Sequence, residues 1–264
     1  LFFCPSALTV FSMSWMFFLR LPGISGLAAV ARRFWKRFVV RELAPQAALQ
    51  VDGVYHVGHR WGLRLVCISD THNKHRTLSV PDGDVLIHAG DFTLYGREDH
   101  ARDFDAWLAD LPHKVKLVVV GNHENNAPWH KRIQEMLPHA TVLRETSITL
   151  PDGPRIFGTD FYWPCNGQNP YFDLIPEVDV LIAHGPAYGC VDGDAKKPQG
   201  CKALLSTVRR VRPQVLVSGH VHFGHGVVTL QHDDSASTLM VNAANCGSGK
   251  DERCLVHPAV VVDI

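Results

Sequence analysis

The sequence has 264 residues, of which 46% are hydrophobic and 20% are charged. A chain of this length can bury the core of one domain of about 200 residues together with appended segments. Its formal net charge is +0, so the overall charge does not favour a long nucleic acid or a membrane surface as a partner. Any affinity for phosphate must therefore be local.

Cysteine usage bears on the redox compartment. The chain contains seven cysteines, an odd number, and no pair with CxxC spacing. A chain this long does not need disulfides to hold its core. We expect mostly buried or free thiols in a reducing compartment, with a disulfide or a thiol-redox role as the alternative.

The N-terminal residues 1–19 carry no charge and are followed by Arg20 and a basic cluster at residues 32–37. Three interpretations are open: a membrane anchor or signal-type segment, an organelle transit segment, or a hydrophobic tail that packs on the domain or is an artefact of translation. About 19 apolar residues barely reach the length needed to span a bilayer, and Pro5 weakens that interpretation.

Residues 1–58 therefore form a predicted extension, and residues 59–264 form the predicted catalytic domain. We expect a cytoplasmic protein, with anchoring in a membrane or targeting to an organelle through residues 1–19 as the alternative. The sequence leaves the oligomeric state open.

Five short apolar runs in the predicted domain each end in polar residues. Runs of this length, rich in β-branched residues, predict strands buried on both faces. One of them reads LVVVGNHE over residues 117–124. The runs and the polar residues that follow them are 63–69 with Asp70 and His72, 84–89 with Asp91, 116–120 with Asn122 and His123, 178–183 with His184, and 214–218 with His220 and His222.

Other segments show helical or further strand patterns. Apolar residues between Glu98 and Leu111 recur at helical spacing, which predicts an amphipathic helix with Trp107 in the core. Helical patterns are also present around 129–137 and after the Gly- and Pro-rich loop 186–200, where Leu204, Leu205, Val208 and Val211 share one face. Shorter strands are predicted at 146–150, 155–158, 227–230, 239–242 and 260–263.

The carboxyl ends of parallel strands place their loops at one edge of a sheet, so the polar residues after the five runs should meet in space. Their oxygen and imidazole ligands, without thiolates, suit divalent Mn, Fe or Zn. Two Asp, one Asn and four His are too many ligands for one ion and about right for two that share a carboxylate.

These residues also resemble a known family. DTH at 70–72, GD at 90–91, GNHE at 121–124, HG at 184–185 and GHVH at 219–222 resemble, in order, the five blocks of the calcineurin-like metallophosphoesterase superfamily. The loop after His184 and the NAANC segment at 242–246 resemble its small single-domain "metallophosphoesterase domain containing" group. The resemblance implies an α/β fold, a four-layer α-β-β-α sandwich of mixed sheets, with two divalent metal ions.

The resemblance also implies a role for each residue. Asp70, His72, Asp91 and His222 would hold one ion, and Asp91, Asn122, His184 and His220 would hold the other. Asp91 would then bridge the two ions through its two oxygens. His123 would contact the substrate and act, as an imidazolium, as the catalytic acid beside Asp91.

One block departs from the superfamily pattern. Many members read GDxxDRG in the second block, whereas this chain reads GDFTLYGR over residues 90–97 and lacks the second Asp. The partner that orients His123 is therefore not identified by the sequence. Glu124 has no assigned role beyond orienting a neighbour.

We expect a phosphodiesterase that acts on a small, nucleotide-like phosphate ester through attack by a metal-bound hydroxide. The alternatives are a phosphomonoesterase, a nuclease and a metal-binding regulatory scaffold with low turnover, and no nucleic-acid duplex is expected as a partner. Phe161, Tyr162 and Trp163 form either a wall for a nucleobase or ordinary packing. Lys196 and Lys197 either meet a phosphate or remain a solvated pair.

Overall fold

The computed structural model describes residues 46–48, 50–58, 60–165, 167–194, 196–233, 235–249 and 254–264. The anchor, targeting and tail interpretations of residues 1–19 concern residues outside this range. Within it, no helix combines the length and the apolarity that crossing a bilayer requires.

Two sheets of seven strands each organise the described chain. The first sheet contains the strands that lead to residues 70, 91 and 122, which pair in parallel. Its strands, in spatial order, are β2 (Gln50–Val51), β3 (Val54–His56), β14 (Val260–Asp263), β4 (Arg64–Ile68), β5 (Val85–His88), β6 (Val115–Val118) and β7 (Thr141–Val142).

The second sheet contains the strands that lead to residues 184 and 220, and these two also pair in parallel. Antiparallel partners lie at both of its edges, so the sheet is mixed. Its strands, in spatial order, are β1 (Gln46–Ala47), β12 (Gly226–Gln231), β13 (Ser237–Asn242), β11 (Val215–Ser218), β10 (Val180–Ile182), β9 (Arg155–Gly158) and β8 (Thr146–Thr149).

The helices lie against the outer faces of the sheets. Five α-helical segments are described: α1 (Glu98–Asp110), α2 (Asn122–Asn125), α3 (Ile133–Met136), α4 (Pro170–Asp173) and α5 (Lys202–Val211). Three turns of 3-10 helix also occur, at His75–Thr77, His130–Arg132 and His222–Gly224.

Alternation along each strand explains the layering. On β4, Leu65 and Cys67 pack into the core between the sheets, whereas Val66 and Ile68 pack against the layer that contains α1. Leu181 on β10 packs with Leu204 and Val208 of α5 in a third core on the far side. The predicted α/β fold, a four-layer α-β-β-α sandwich of mixed sheets, is confirmed.

Two segments differ from the sequence-based expectation. Residues 46–58, grouped above with the N-terminal extension, contain β1 to β3; β1 pairs with β12, and β3 pairs with β14. The helix expected over 129–137 is two short pieces, His130–Arg132 and Ile133–Met136, because the backbone of Arg132 between them is not helical (φ −108°, ψ 23°).

Candidate metal centre

The ends of five strands bring together the polar side chains predicted from the sequence. β4, β5 and β6 contribute from one sheet, and β10 and β11 contribute from the other. Backbone bonds join the loops, for example from the Asp70 N–H to the Gly90 carbonyl (2.9 Å) and from the Gly219 N–H to the His184 carbonyl (2.8 Å). All seven predicted ligands and His123 therefore lie in one group.

The first cluster contains Asp70, His72 and His222, whose ligand atoms all lie within 4.8 Å of one another. The Nε2 atoms of His72 and His222 face each other at 3.3 Å. Oδ1 of Asp70 is buried, has no hydrogen-bond partner among the described residues, and lies 3.4 Å from Nε2 of His222. The other oxygen, Oδ2, accepts the N–H of His220.

The second cluster contains Asp91, His184 and His220 within the same limit. Nε2 of His184 lies 3.3 Å from Oδ2 of Asp91 and 3.2 Å from Oδ1 of Asn122. Asp91 also groups with His72 and His123, so it lies between the two clusters. The Asp91 carboxylate therefore faces both clusters.

Hydrogen bonds at Nδ1 leave the Nε2 atoms of three of these histidines available for a cation. Nδ1 lies 2.7 Å from the Ala89 carbonyl oxygen in His184 and 2.9 Å from that of Gly247 in His222. Nδ1 of His72 lies 3.4 Å from the Thr93 carbonyl oxygen. Because a carbonyl can only accept, each Nδ1 carries hydrogen and each neutral ring has its lone pair on Nε2.

This arrangement fits a divalent cation. Two Nε2 lone pairs that face each other at 3.3 Å repel unless a cation or a proton lies between them. The unpartnered buried oxygen of Asp70 is also costly without a positive partner. Carboxylate, imidazole and amide donors suit Mn, Fe or Zn.

The pKa values of the buried carboxyl groups and imidazoles depend on burial and on the opposite charges beside them. Burial alone would raise the pKa values of Asp70 and Asp91, but the surrounding imidazoles hold both below the usual range. Burial alone would lower the pKa of His184, but the Asp91 carboxylate raises it to about 9. Burial lowers the pKa of His220 to about 4 and also lowers that of His72.

Four of the seven predicted ligands adopt a left-handed backbone conformation. The φ angles are +54° for Asp70, +43° for His72, +58° for Asp91 and +64° for His220. Such angles are uncommon for residues other than glycine and cluster at functional sites. Here they turn successive side chains toward the same point.

Glycines allow the close approach of backbone to ligand. A Cβ atom at Gly121 would overlap the Asp91 carboxylate, and one at Gly219 would overlap the Asp70 carboxylate. Both glycines stand directly before a predicted ligand. Glycine is therefore required here by space rather than by φ.

Glu124, which the sequence left without a role, ties the second and third blocks together. Its buried carboxylate accepts the N–H groups of Asp91 (2.8 Å), Gly121 (3.0 Å) and Thr93 (2.9 Å) and the Thr93 hydroxyl (2.6 Å). Burial and the nearby Asp91 carboxylate raise its pKa to about 7, against these four bonds. Its bond from the Gly121 N–H is the half of a capping box that a glutamate makes, and glycine has no side chain to make the other half.

His123 is oriented by a backbone group rather than by a carboxylate. Its Nδ1 accepts the N–H of Tyr95 at 2.7 Å, and its Nε2 lies 3.8 Å from Oδ2 of Asp91. A nitrogen that accepts an amide N–H carries no proton, so the ring is the neutral Nε2–H imidazole rather than the expected imidazolium. Tyr95 thus supplies the orienting partner that the second block lacks.

The buried side chain of His88 is hydrogen-bonded to two of the loops that carry predicted ligands. Its Nδ1 accepts the Gly90 N–H at 3.2 Å, so its Nε2–H donates to the Thr71 hydroxyl at 3.0 Å. The ring is fully buried, and burial lowers its pKa to about 3. No sequence pattern indicated this role, because His88 reads as one residue of an apolar strand.

Two of the three aromatic residues at 161–163 pack against a predicted ligand. Phe161 and Trp163 contact the His220 ring at centroid distances of 5.2 and 4.8 Å. Tyr162 stacks on Tyr171 at 4.7 Å instead of joining them. Lys196 and Lys197 are exposed, as in the solvated alternative.

Among the described cysteines, Cys67, Cys165, Cys190, Cys201 and Cys254 are free thiols. Cys67, Cys190, Cys201 and Cys246 are buried, and burial raises the pKa of Cys67 and Cys190 to about 12. This agrees with the expectation of buried or free thiols for the part of the chain described.

The chain is similar in sequence to one family of known proteins. The model of the calcineurin-like phosphoesterase family matches residues 63–224. Human metallophosphoesterase domain-containing protein 1 is 36% identical over 239 residues, covering 76% of this chain and 71% of that protein. UPF0046 protein K07C11.7 of Caenorhabditis elegans is 36% identical over 213 residues, covering 71% of each chain.

Among solved structures, one aligns with a TM-score of 0.51 at 14% identity, covering 68% of this chain and 89% of its own. Identity this low indicates a shared fold and nothing about a substrate.

Proposed function

Because the chain belongs to the calcineurin-like phosphoesterase family, a family of metal-dependent phosphoric ester hydrolases, we propose that it hydrolyses phosphodiesters of small, nucleotide-like compounds at a centre of two divalent ions. The observation that carries the proposal is the convergence of the two ligand clusters on either side of Asp91. Nothing else in the described chain explains an unpartnered buried oxygen on Asp70 beside two opposed Nε2 atoms.

We assign the ligands as the geometry groups them. Asp70, His72 and His222 would hold one ion, and Asn122, His184 and His220 would hold the other, with Asp91 shared. When bound, the ions supply Lewis acidity that lowers the pKa of water and stabilises charge on the phosphoryl oxygens. The neutral amide of Asn122 adds a ligand without a negative charge that would repel the phosphate.

Groups of the protein then orient His123 and supply the proton for the leaving oxygen. Oδ1 of Asp91 accepts the His123 N–H at 3.0 Å, which fixes the backbone of His123 against the shared carboxylate. The Tyr95 N–H holds the ring with its proton on Nε2. From Nε2, His123 donates to the leaving oxygen as the ester bond breaks.

The net charge of the chain and its resemblance to the small single-domain group both bear on the choice of substrate. The formal net charge is +0, and a long nucleic acid usually binds along a basic track. Similarity to the small single-domain group favours a phosphodiester over a phosphoprotein.

The test is a substrate panel on the full chain with Mn²⁺, Fe²⁺ or Zn²⁺. We expect hydrolysis of bis-p-nitrophenyl phosphate that chelation abolishes and that falls at least about 100-fold in Asp91→Ala and Asn122→Ala. Faster hydrolysis of p-nitrophenyl phosphate would indicate a phosphomonoesterase. Metal binding without turnover of any ester would indicate the regulatory scaffold, and full activity in either variant would contradict the site.

A further inference from the structure

Tyr95 carries an aromatic ring beside the candidate metal centre that is 80% exposed. The ring stacks on the His123 ring, with centroids 5.4 Å apart and planes 26° apart. One ring face is therefore directed at His123, and most of the remaining surface is open. A single exposed aromatic residue is ordinary in itself. Tyr95 differs because its loop is held by hydrogen bonds and its ring adjoins His123.

The backbone that carries the ring is fixed. Tyr95 has a φ of +59°, which is uncommon for a bulky residue. Four consecutive N–H groups of its loop are all bonded: Thr93 to Oε1 of Glu124 (2.9 Å), Leu94 to Nδ1 of His100 (3.3 Å), Tyr95 to Nδ1 of His123 (2.7 Å), and Gly96 to the Thr93 hydroxyl (3.2 Å). A ring on such a loop is ordered before any ligand arrives, which lowers the entropic cost of binding.

The position of the ring defines what it can touch. His123 adjoins both Tyr95 and the first cluster, since its ring centroid lies 5.4 Å from that of Tyr95 and 4.8 Å from that of His72. A phosphoryl group held at the clusters would place an ester oxygen near Nε2 of His123. A planar group on the alcohol side of that ester would then lie beside the open part of the Tyr95 ring.

Other aromatic residues near the centre are less suited to this role. Phe161 and Trp163 pack on the imidazole of His220. Phe223 follows His222 and is 53% exposed, but its ring lies over Gly193, where a Cβ atom would collide with it. Tyr95 alone among these adjoins His123.

We propose that Tyr95 is a binding residue that stacks on the base of a nucleoside phosphate ester, and so selects nucleotides over phosphate esters without a planar ring. This rests on the proposed function, since it takes the two clusters as the phosphate site. Base–aromatic stacking changes binding by about 5- to 150-fold when the protein ring is removed.

The test compares binding of AMP and ribose 5-phosphate to the Mn²⁺-loaded full chain by calorimetry. The two ligands share the phosphate and the sugar and differ in the base. We expect AMP to bind wild type more tightly, and Tyr95→Leu to weaken AMP about 10-fold while leaving ribose 5-phosphate unchanged. Tyr95→Phe should bind AMP as wild type does, because it keeps the ring.

Matched variants guard against indirect effects. Tyr171→Leu removes another half-exposed tyrosine, which stacks on Tyr162 away from His123, and should leave both affinities unchanged. Should Tyr95→Leu fail to fold, Tyr95→Trp is measured instead. We expect this variant to bind AMP at least as tightly as wild type does.

Several results would overturn the proposal: equal affinity of wild type for the two ligands, an equal loss of both ligands in Tyr95→Leu, or loss of AMP selectivity in Phe223→Leu with none in Tyr95→Leu. Loss of AMP selectivity in Tyr95→Trp would do the same. Because these are binding measurements, absence of turnover would contradict the proposed function without deciding the role of Tyr95.

Discussion

His72, His184 and His222 each use Nδ1 to donate to a backbone carbonyl, whereas Nδ1 of His123 accepts from a backbone N–H. In their neutral forms the first three therefore present a lone pair on Nε2, whereas His123 presents a proton there. Ligand and acid are distinguished by one hydrogen bond on the far side of each ring. Hydrogen-bond direction, rather than residue type, thus separates the roles of these histidines.

At this scale the sequence predicted residue identities but not conformations. The five blocks predicted seven ligands and His123, and the structure places these eight residues close together. The left-handed backbone at Asp70, His72 and Asp91 was not predicted, because it results from loops that long-range contacts hold in place. The bond from Tyr95 to His123 crosses 28 positions of sequence and has no local signal.

Replacing Glu124 with Gln tests its tie between the two loops. The carboxylate accepts four donors, and the amide –NH₂ of Gln would face two of them. We expect the free energy of unfolding to fall by about 3 kcal/mol or more. Chemical denaturation measures this, and Mn²⁺ affinity should fall as well because Asp91 loses a backbone anchor.

The control is Glu135→Gln on the exposed side of α3, where the ion pair with Arg132 is long at 3.6 Å. Its effect should stay within about 0.5 kcal/mol. A Glu124→Gln variant as stable as this control would show that the four bonds contribute nothing.

The protonation of His184 gives a second expectation at this scale. In the metal-free protein the pKa of His184 is raised to about 9 by Asp91, so a metal ion must displace a proton from it at neutral pH. Mn²⁺ affinity should therefore rise as the pH increases from 6 toward 9. Calorimetry in buffers of different ionisation enthalpy should show proton release at pH 7, and pH-independent affinity with no release would contradict this.

Secondary-structure elements were predicted best where burial alone shapes the pattern. β9 and β14 have the predicted bounds, and α1 differs from its predicted end by one residue. α4 was missed, although Asn169 as N-cap and Pro170 in the first turn are ordinary start signals. α2 was not predicted, because its four residues show no apolar period.

The junction of β6 and α2 depends on Gly121. An Ala there would place its Cβ into the Asp91 carboxylate and against the rigid backbone N of the same residue (2.6 Å). We expect Gly121→Ala to lose about 1–3 kcal/mol of stability and to bind Mn²⁺ more weakly. Denaturation and metal titration of the same sample measure both.

Gly167→Ala is the matched substitution, because no atom lies within 4 Å of the Cβ position at Gly167. It should resemble wild type in both measurements. Equal metal affinity in the Gly121 and Gly167 variants would show that Asp91 tolerates displacement.

Across the described molecule, three buried layers hold the two sheets and their helices, and the ligands lie where both sheets end. The sequence predicted strand order along the chain and the edge at which loops meet. It did not predict which strands share a sheet, because strands buried on both faces show no difference between partners. The strands within residues 46–58 were missed because each is only two or three residues long.

Buried neutral histidines should make stability depend on pH. Burial lowers the pKa of His88 to about 3 and of His75 to about 4, against about 6.5 in an unfolded chain. The unfolded state then binds more protons below pH 6.5, so stability is full above that pH and is lost as the pH falls toward 4. For His88 alone the loss at pH 5 is about 2 kcal/mol.

Denaturation curves at pH 7 and pH 5 measure this effect in the metal-free protein. His88→Gln should lower stability at pH 7, because the Thr71 and Gly90 bonds change, and should also reduce the difference between the two pH values. An unchanged difference in the variant would exclude His88 as its source.

The central claim is that the seven side chains hold two divalent ions that share Asp91. Anomalous X-ray scattering from crystals of the full chain grown with Mn²⁺ tests it directly. We expect two manganese peaks, one among Asp70, His72 and His222 and the other among Asn122, His184 and His220. Each peak should lie within about 2.5 Å of an Asp91 oxygen. A single peak, or manganese away from these residues, would contradict it.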